Sequence, residues 1–417
     1  MESRYDYVLI GSFAAVWAAQ TIRKADEKGS ILIVGDEPHP PYDRPPLSKG
    51  LLAKDAVTPD DAYSKFDNFY PDNHIDLGTG KTVTAIDRAA KCIALSDGTS
   101  VDYGKLLIAT GSRARRLSFP GASRSGVFVL RHIEDTLAIR AAAHFGVHAV
   151  VVGTGYLGIE VGASLMSRGV KVTFVSPDPY PWAKFASPAL GRFVRHYFEQ
   201  QGAQFHLEDE VESIEGSGDA AESVHTKHGA VLPASLVVVC VGASLNLDLA
   251  IASGLDVDPE NGVMVDEFLQ TSDPNIWAAG DIACFHDLLF NKRWHAEHHL
   301  NAKWQGQTAG KNMTGEKEAY IRVPYFFSDF LDLHMVLRGD PQSGRQNLVS
   351  GDIDGAEFVE LYHDEEGHLT CGVAVSRDEP KLDGISDSLE RLIENRFVLF
   401  GHEARIMHPS FNIAELG

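Results

Sequence analysis

Residues 148–178 read HAVVVGTGYLGIEVGASLMSRGVKVTFVSPD, and this stretch limits the fold more than any other part of the chain. An apolar run meets a GxGxxG turn, a helix-forming segment follows, and a second apolar run, KVTFV, comes about twenty residues later, the order expected of a dinucleotide-binding βαβ unit. The three glycines play distinct parts. Gly153 permits the tight turn, Gly155 lets a pyrophosphate approach the backbone, and Gly158 lets the helix pack on the strand. Tyr156 and Leu157 belong to the same turn, where the helix N-terminus attracts phosphate. Beyond the second strand, VSPDPYPWAKF offers Asp178 to the ribose hydroxyls, with Lys184 nearby and no arginine to take a 2′-phosphate. The cofactor expected here is therefore NAD(H) rather than NADP(H), although Ser176 occupies the place where the acid most often stands. Gly242, at the end of LVVVCVG, is a further candidate for the nucleotide site.

Residues 8–20, VLIGSFAAVWAAQ, repeat the pattern in weaker form. Only Gly11 remains of the three glycines; the turn is one residue short, and Ile10, Ser12 and Ala15 stand where small turn residues are expected. Asp36, after ILIVG, supplies an acid for a ribose. Read by itself, the segment is either a second dinucleotide site or a βαβ unit that binds nothing.

The 417 residues exceed one compact core, which predicts two or three domains at roughly 100–200 residues each. A net charge of −21 argues against nucleic acid and anionic membranes as partners. No run approaches ~18 apolar residues, so no membrane span is expected. MESRYDYVLIG lacks the basic and apolar regions of a secretion signal, which points to a cytoplasmic protein. Cys92, Cys240, Cys284 and Cys371 are too scattered for a metal cluster or disulfide framework and are read as small buried residues. PHPPYDRPPLSKG is read as a loop without regular helix, because proline removes donors and restricts its neighbours.

Five segments then act together. PYDRPPLSKG, ATGSR, GTGYLGIE, WAAGD and EHHLNAKWQGQTAGKNMTG jointly resemble the FAD-dependent pyridine nucleotide reductases, in the branch holding ferredoxin and rubredoxin reductases and apoptosis-inducing factor. The resemblance implies an α/β fold of two Rossmann-like dinucleotide-binding domains, glutathione-reductase-like, plus a C-terminal α+β domain at the flavin face. The implied boundaries are 1–115 and 244–322 for the split FAD domain, 116–243 for the NAD domain and 323–417 for the last domain. It also implies that Gly11, Ser12, Ala14 and Ala15 line the FAD pyrophosphate and Asp36 its ribose. Arg44 and Lys49 would lie beside the pyrophosphate and ring, Val83 at the adenine, Arg131 at the pyrophosphate and Asp281 at the ribityl chain. Ala109, Thr110, Gly111 and Gly280 complete that shell, with Glu297 and His298 at the pyrimidine edge. The shortened turn and Trp17 depart from the family pattern.

For catalysis the resemblance pairs Lys49 with Glu160, a cation whose charge stabilises reduced flavin; Phe327, in YFFSDF, is either a ring stacked at the reacting face or plain core. HAEHH has no third ligand set at a zinc-like spacing, so no metal is expected. The CxxxxC pair of disulfide reductases is replaced by PYDRPPLSKG, so electrons are expected to leave the flavin directly, to a small iron–sulfur protein such as ferredoxin, a quinone or oxygen. The alternative implied by apoptosis-inducing factor is a slow NADH-binding redox sensor with a long-lived charge-transfer complex and homodimerisation as its output.

Overall fold

Short β-branched runs buried on both faces build the first sheet. Arg4–Gly11 pairs in parallel with Ile31–Val34 and with Ser100–Ala109, Ile31–Val34 pairs with Ile75–Gly78, and Ile276–Ala278 joins the far side of Ser100–Ala109. Cys92–Leu95 and Val83–Asp87 extend the sheet in antiparallel fashion. The structure is a computed structural model that describes residues 1–65, 68–344, 346–408 and 411–416. Its contacts divide the chain into two units: Met1–Asp43, Ala62–Arg113 and Ser244–Pro324 form the first, and Arg44–Asp61, Ala114–Ala243 and Tyr325–Gly417 the second.

In the first unit the alanine-rich helix Phe13–Ala25 packs against His299–Met313. The approach is close enough to demand glycine: a Cβ at Gly306 would stand 2.3 Å from the Ala14 carbonyl oxygen, and one at Gly310 2.7 Å from that of Ala18. Neither distance is compatible with an ordinary side chain, so the QGQTAG spacing sets this helix pair.

The second unit holds a fully parallel sheet in the order Gln204–Leu207, Lys171–Ser176, His148–Val152, Leu236–Val239, Val127–Val129. All four residues of Leu236–Val239 are buried, as expected of a parallel strand covered on both faces. A separate antiparallel sheet, Tyr325–Phe330, Leu333–Gly339, Leu369–Ser376, Glu357–His363, Gln346–Asp352, is covered by the helix Glu379–Glu394. Asp378 caps that helix by accepting from the Lys381 N–H at 3.1 Å. The fold is thus α/β, with two Rossmann-like sheets and a C-terminal α+β portion.

Two expectations require correction. The proline-rich segment does contain helix, as two single turns, Pro45–Ser48 and Gly50–Ala53. Pro45 and Pro46 stand at the first two positions, where a helix leaves its N–H groups unpaired, so the missing donors cost nothing. Among the cysteines, Cys240, Cys284 and Cys371 are buried but Cys92 is half-buried, because it begins the short strand Cys92–Leu95. All four are free thiols. Among the described residues no helix is long and apolar enough to cross a membrane.

Candidate functional site

In the first unit, Gly11 ends its strand at φ +129°, and a Cβ there would lie 2.1 Å from the Ala109 carbonyl oxygen. The backbone demands glycine at this one turn position even though the other two glycines are missing. Ser12 stands at the helix N-cap without a side-chain capping bond, and Ala14 and Ala15 follow it, buried. Asp36 is exposed beyond Ile31–Val34, while its neighbour Glu37 accepts from the Tyr42 hydroxyl.

Ala109 pairs with Gly11, and the turn after it is braced by a residue that the sequence did not mark: Asn246 donates to the Thr110 carbonyl at 2.8 Å, Thr110 Oγ1 donates to the Asn246 carbonyl at 3.2 Å, and the Asn246 N–H donates to the Gly111 carbonyl at 3.0 Å. The Ser112 hydroxyl donates to Asp281 at 2.8 Å. Gly280, at φ +83°, donates its N–H to Gln305 Oε1 at 2.8 Å. Gln305 is fully buried and its amide nitrogen has no hydrogen-bond partner. A buried donor left open costs about 1–3 kcal/mol, and an acceptor on a bound dinucleotide would remove that cost. Glu297 lies exposed beside His295, His298 is the N-cap of His299–Met313, and Val83 opens an edge strand, half-buried.

In the second unit, the three glycines of residues 153–158 differ in the space around them. A Cβ on Gly153 (φ +103°) would meet the Cys240 carbonyl oxygen at 2.3 Å, and one on Gly158 the Gly153 carbonyl oxygen at 2.2 Å. Gly155 has no atom within 4 Å of such a Cβ, so its backbone faces open space. Thr154 between them is buried, with a hydroxyl that has no partner. A bare backbone and an open buried donor at a helix N-terminus suit a phosphate group. Gly242 (φ +97°) likewise faces open space. Asp178 accepts from Ser176 Oγ at 3.2 Å, and Lys184 is exposed.

The same unit assembles a charged centre. Lys49 Nζ lies 2.8 Å from Glu160 Oε1, with the two side chains 16% and 9% exposed. Ser328 donates to Glu160 Oε1 at 2.7 Å and Ser48 to Oε2 at 2.5 Å. Both serines went unmarked in the sequence, although Ser48 and Ser328 lie within PPLSKG and YFFSDF. The Lys49 ammonium is 4.0 Å from Asp329 and 4.7 Å from the centre of the half-buried Phe327 ring. Tyr156, first residue of the nucleotide helix, stacks on Phe185 at 3.8 Å and meets Phe326 at 3.5 Å.

Lys49 is fixed by anchoring of the proline-rich segment on two helices. Ser164 donates to the Ser48 carbonyl at 2.6 Å, Thr136 to that of Leu47 at 3.2 Å, and Arg140 to that of Leu51 at 3.0 Å. Arg44 donates to the Arg131 carbonyl at 2.8 Å, so these two predicted residues also meet.

Two nucleotide-type turns, each at the end of a parallel strand pair in its own sheet, are the mark of a two-dinucleotide fold. The pyridine nucleotide-disulphide oxidoreductase family model matches residues 5–306, and the chain belongs to that family. It is 34% identical over 374 residues to the probable ferredoxin reductase CtmF of Castellaniella defragrans, covering 88% of this chain and 90% of that one. Among solved structures it resembles the ferredoxin reductase for the CYP199A2 system from Rhodopseudomonas palustris (TM-score 0.90, 29% identity, 98% of each chain). It also resembles the reductase of the covalent putidaredoxin reductase–putidaredoxin complex (TM-score 0.88, 29% identity, 94% and 93% coverage). The protein is an FAD-dependent NADH oxidoreductase.

Proposed function

We propose that the protein transfers electrons from NADH to a small iron–sulfur protein, with FAD held by the first unit and NADH by the second. FAD supplies the conversion of a two-electron hydride donor into two single electrons. Gly11, Ser12, Ala14, Ala15, Asp36, Ala109, Thr110, Gly111, Gly280 and Asp281 form the proposed FAD shell, joined by Val83, Glu297 and His298. Gly153, Gly155, Tyr156, Leu157, Gly158, Asp178, Lys184 and Gly242 form the proposed NADH shell. The names of the relatives support the acceptor class, CtmF being called a ferredoxin reductase.

The observation that carries this reading is the Lys49–Glu160 pair at 2.8 Å, on a segment that has PYDRPPLSKG where a redox dithiol would stand. Glu160 holds the ammonium, Ser48 and Ser328 hold Glu160, and the cation is thereby fixed without a cysteine to pass electrons to. A positioned cation of this kind acts by preorganised electrostatics, with no proton transfer required of it. The Phe327 ring lies under the ammonium at 4.7 Å, a cation–π contact that adds to its fixing.

Anaerobic NADH addition followed by an oxidised [2Fe–2S] ferredoxin tests the acceptor. Rapid bleaching of the flavin and then rapid reduction of the ferredoxin are expected. Slow bleaching with a persistent long-wavelength band and no ferredoxin reduction would instead favour the redox-sensor reading.

A further inference from the structure

We infer that the face formed by Trp17, Lys65 and Lys303 is the docking surface for the acidic iron–sulfur protein, an assignment that rests on the acceptor proposed above. A chain of net charge −21 repels an acidic partner unless it presents a local cluster of cations. Of the basic residues that lie close together in the sequence, Arg113, Arg115 and Arg293 each meet another group of the chain. Arg113 meets Asn246 at 2.9 Å and Asp248 at 3.6 Å, Arg115 donates to the Ala243 carbonyl and Arg293 to that of Val265.

Lys65 and Lys303 differ from these. Their ammonium groups stand 3.6 Å and 4.0 Å from the centre of one indole ring, Trp17, and Lys65 also lies 5.3 Å from Phe69. Among the described residues neither has an ion pair within 4.0 Å; the hydrogen bond of Lys65 goes to neutral Gln20 at 3.3 Å. All three residues of the cluster are partly exposed, and Lys24 beside them is exposed. Burial and the charge of Lys303 push the Lys65 ammonium below its ordinary pKa, with Asp43 acting in the opposite direction and Lys24 adding to the effect. Two cations held on one ring, with no described carboxylate paired to either, form a site whose charge is left for a partner.

Trp17 is also linked to the first nucleotide turn through rings. It meets Phe13, the first residue of its helix, at 6.4 Å edge-on, and Phe13 stacks on His299 at 4.3 Å. The balanced reaction is NADH plus two oxidised iron–sulfur centres giving NAD⁺, one proton released to solvent and two centres each reduced by one electron. A partner seated over Trp17 would contact the protein where this series of rings reaches the surface.

The experiment compares wild type with the Lys65→Glu/Lys303→Glu and Lys65→Arg/Lys303→Arg double variants, using a purified acidic [2Fe–2S] ferredoxin as acceptor and neutral menadione as control. The glutamate pair is expected to lower kcat/KM for ferredoxin roughly 10- to 100-fold at low ionic strength. The deficit should shrink as salt shortens the Debye length to about 3 Å near 1 M. The arginine pair should keep the wild-type rate, and flavin content and menadione reduction should stay unchanged in both. A glutamate variant that matches wild type with ferredoxin would overturn the assignment, as would equal losses with ferredoxin and menadione. If wild type reduces menadione but no acidic ferredoxin, the acceptor reading fails and the docking surface fails with it. Loss of a homodimer in the glutamate variant, with ferredoxin reduction intact, would assign the face to a second copy of the chain and also overturn the proposal.

Discussion

Glu160 carries three polar contacts on two oxygens, and their removal should separate two effects. Glu160→Gln retains a partner for both serines but leaves the Lys49 ammonium without its counter-charge; a charge-assisted bond of about 1.5–3 kcal/mol is lost. The rate of flavin reduction at saturating NADH should fall roughly 10- to 100-fold in stopped-flow traces, and stability should fall by about 1.5–3 kcal/mol. Glu160→Ala should lower stability further than Glu160→Gln, since two buried hydroxyls also lose their acceptor, and denaturant midpoints will register the difference. Asp178→Arg should shift nucleotide preference toward NADPH, and unchanged relative binding of ADP-ribose and its 2′-phosphate would remove Asp178 from the cofactor site. At this scale Lys49 and Glu160 were legible because each lies inside a recognisable motif. Ser48 and Ser328 were not, because their role depends on a meeting across 112 and 168 residues of sequence.

The glycine turns and the segment around residue 44 show what a sequence reveals about elements. Gly153→Ala should destabilise the second unit, since the new Cβ would meet a backbone carbonyl at 2.3 Å in a left-handed conformation. Gly155→Ala should fold normally, having φ −72° and open space, yet bind NADH more weakly because the methyl group enters the path of the pyrophosphate. Calorimetry of folding and of NADH binding on the two variants checks both halves. The loop after Phe13–Ala25 makes its own pH prediction. Asp26 sits below the usual carboxylate range because the N–H groups of Gly29 and Lys28 donate to it, at 2.8 and 3.0 Å. Its folded pKa being depressed, its contribution is present above the ordinary value of 3.8 and is lost as pH falls through the folded value. Asp26→Asn should therefore flatten the acid limb of a stability-against-pH curve. Periodicity made both βαβ units legible in the sequence. It missed the helical turns at Pro45–Ser48 and Gly50–Ala53, because a proline rule for helix interiors says nothing about first turns.

For the molecule as a whole, the two nucleotide turns were legible to different degrees. GTGYLG announces its use through three glycines, while the first turn keeps only Gly11, and its case needed distant segments such as ATGSR and WAAGD. The structure adds what spacing could not reveal, namely that Ala109 leaves no room for any residue but glycine at position 11, and that Gln305 holds Gly280 with its own amide nitrogen unpartnered. The charge of −21 was equally plain from composition, but the lysines gathered on Trp17 come from positions 65 and 303, which no local run of basic residues signals. In the function proposed above, one chain holds both nucleotides and sends NADH electrons out singly. The most direct measurement is an anaerobic titration of the purified protein followed by its flavin absorbance in the blue. Bleaching complete at one NADH per flavin, then full return of colour on adding two equivalents of oxidised ferredoxin, is the expected result. A colourless protein that takes up no FAD, or a yellow one that NADH does not bleach, would contradict it.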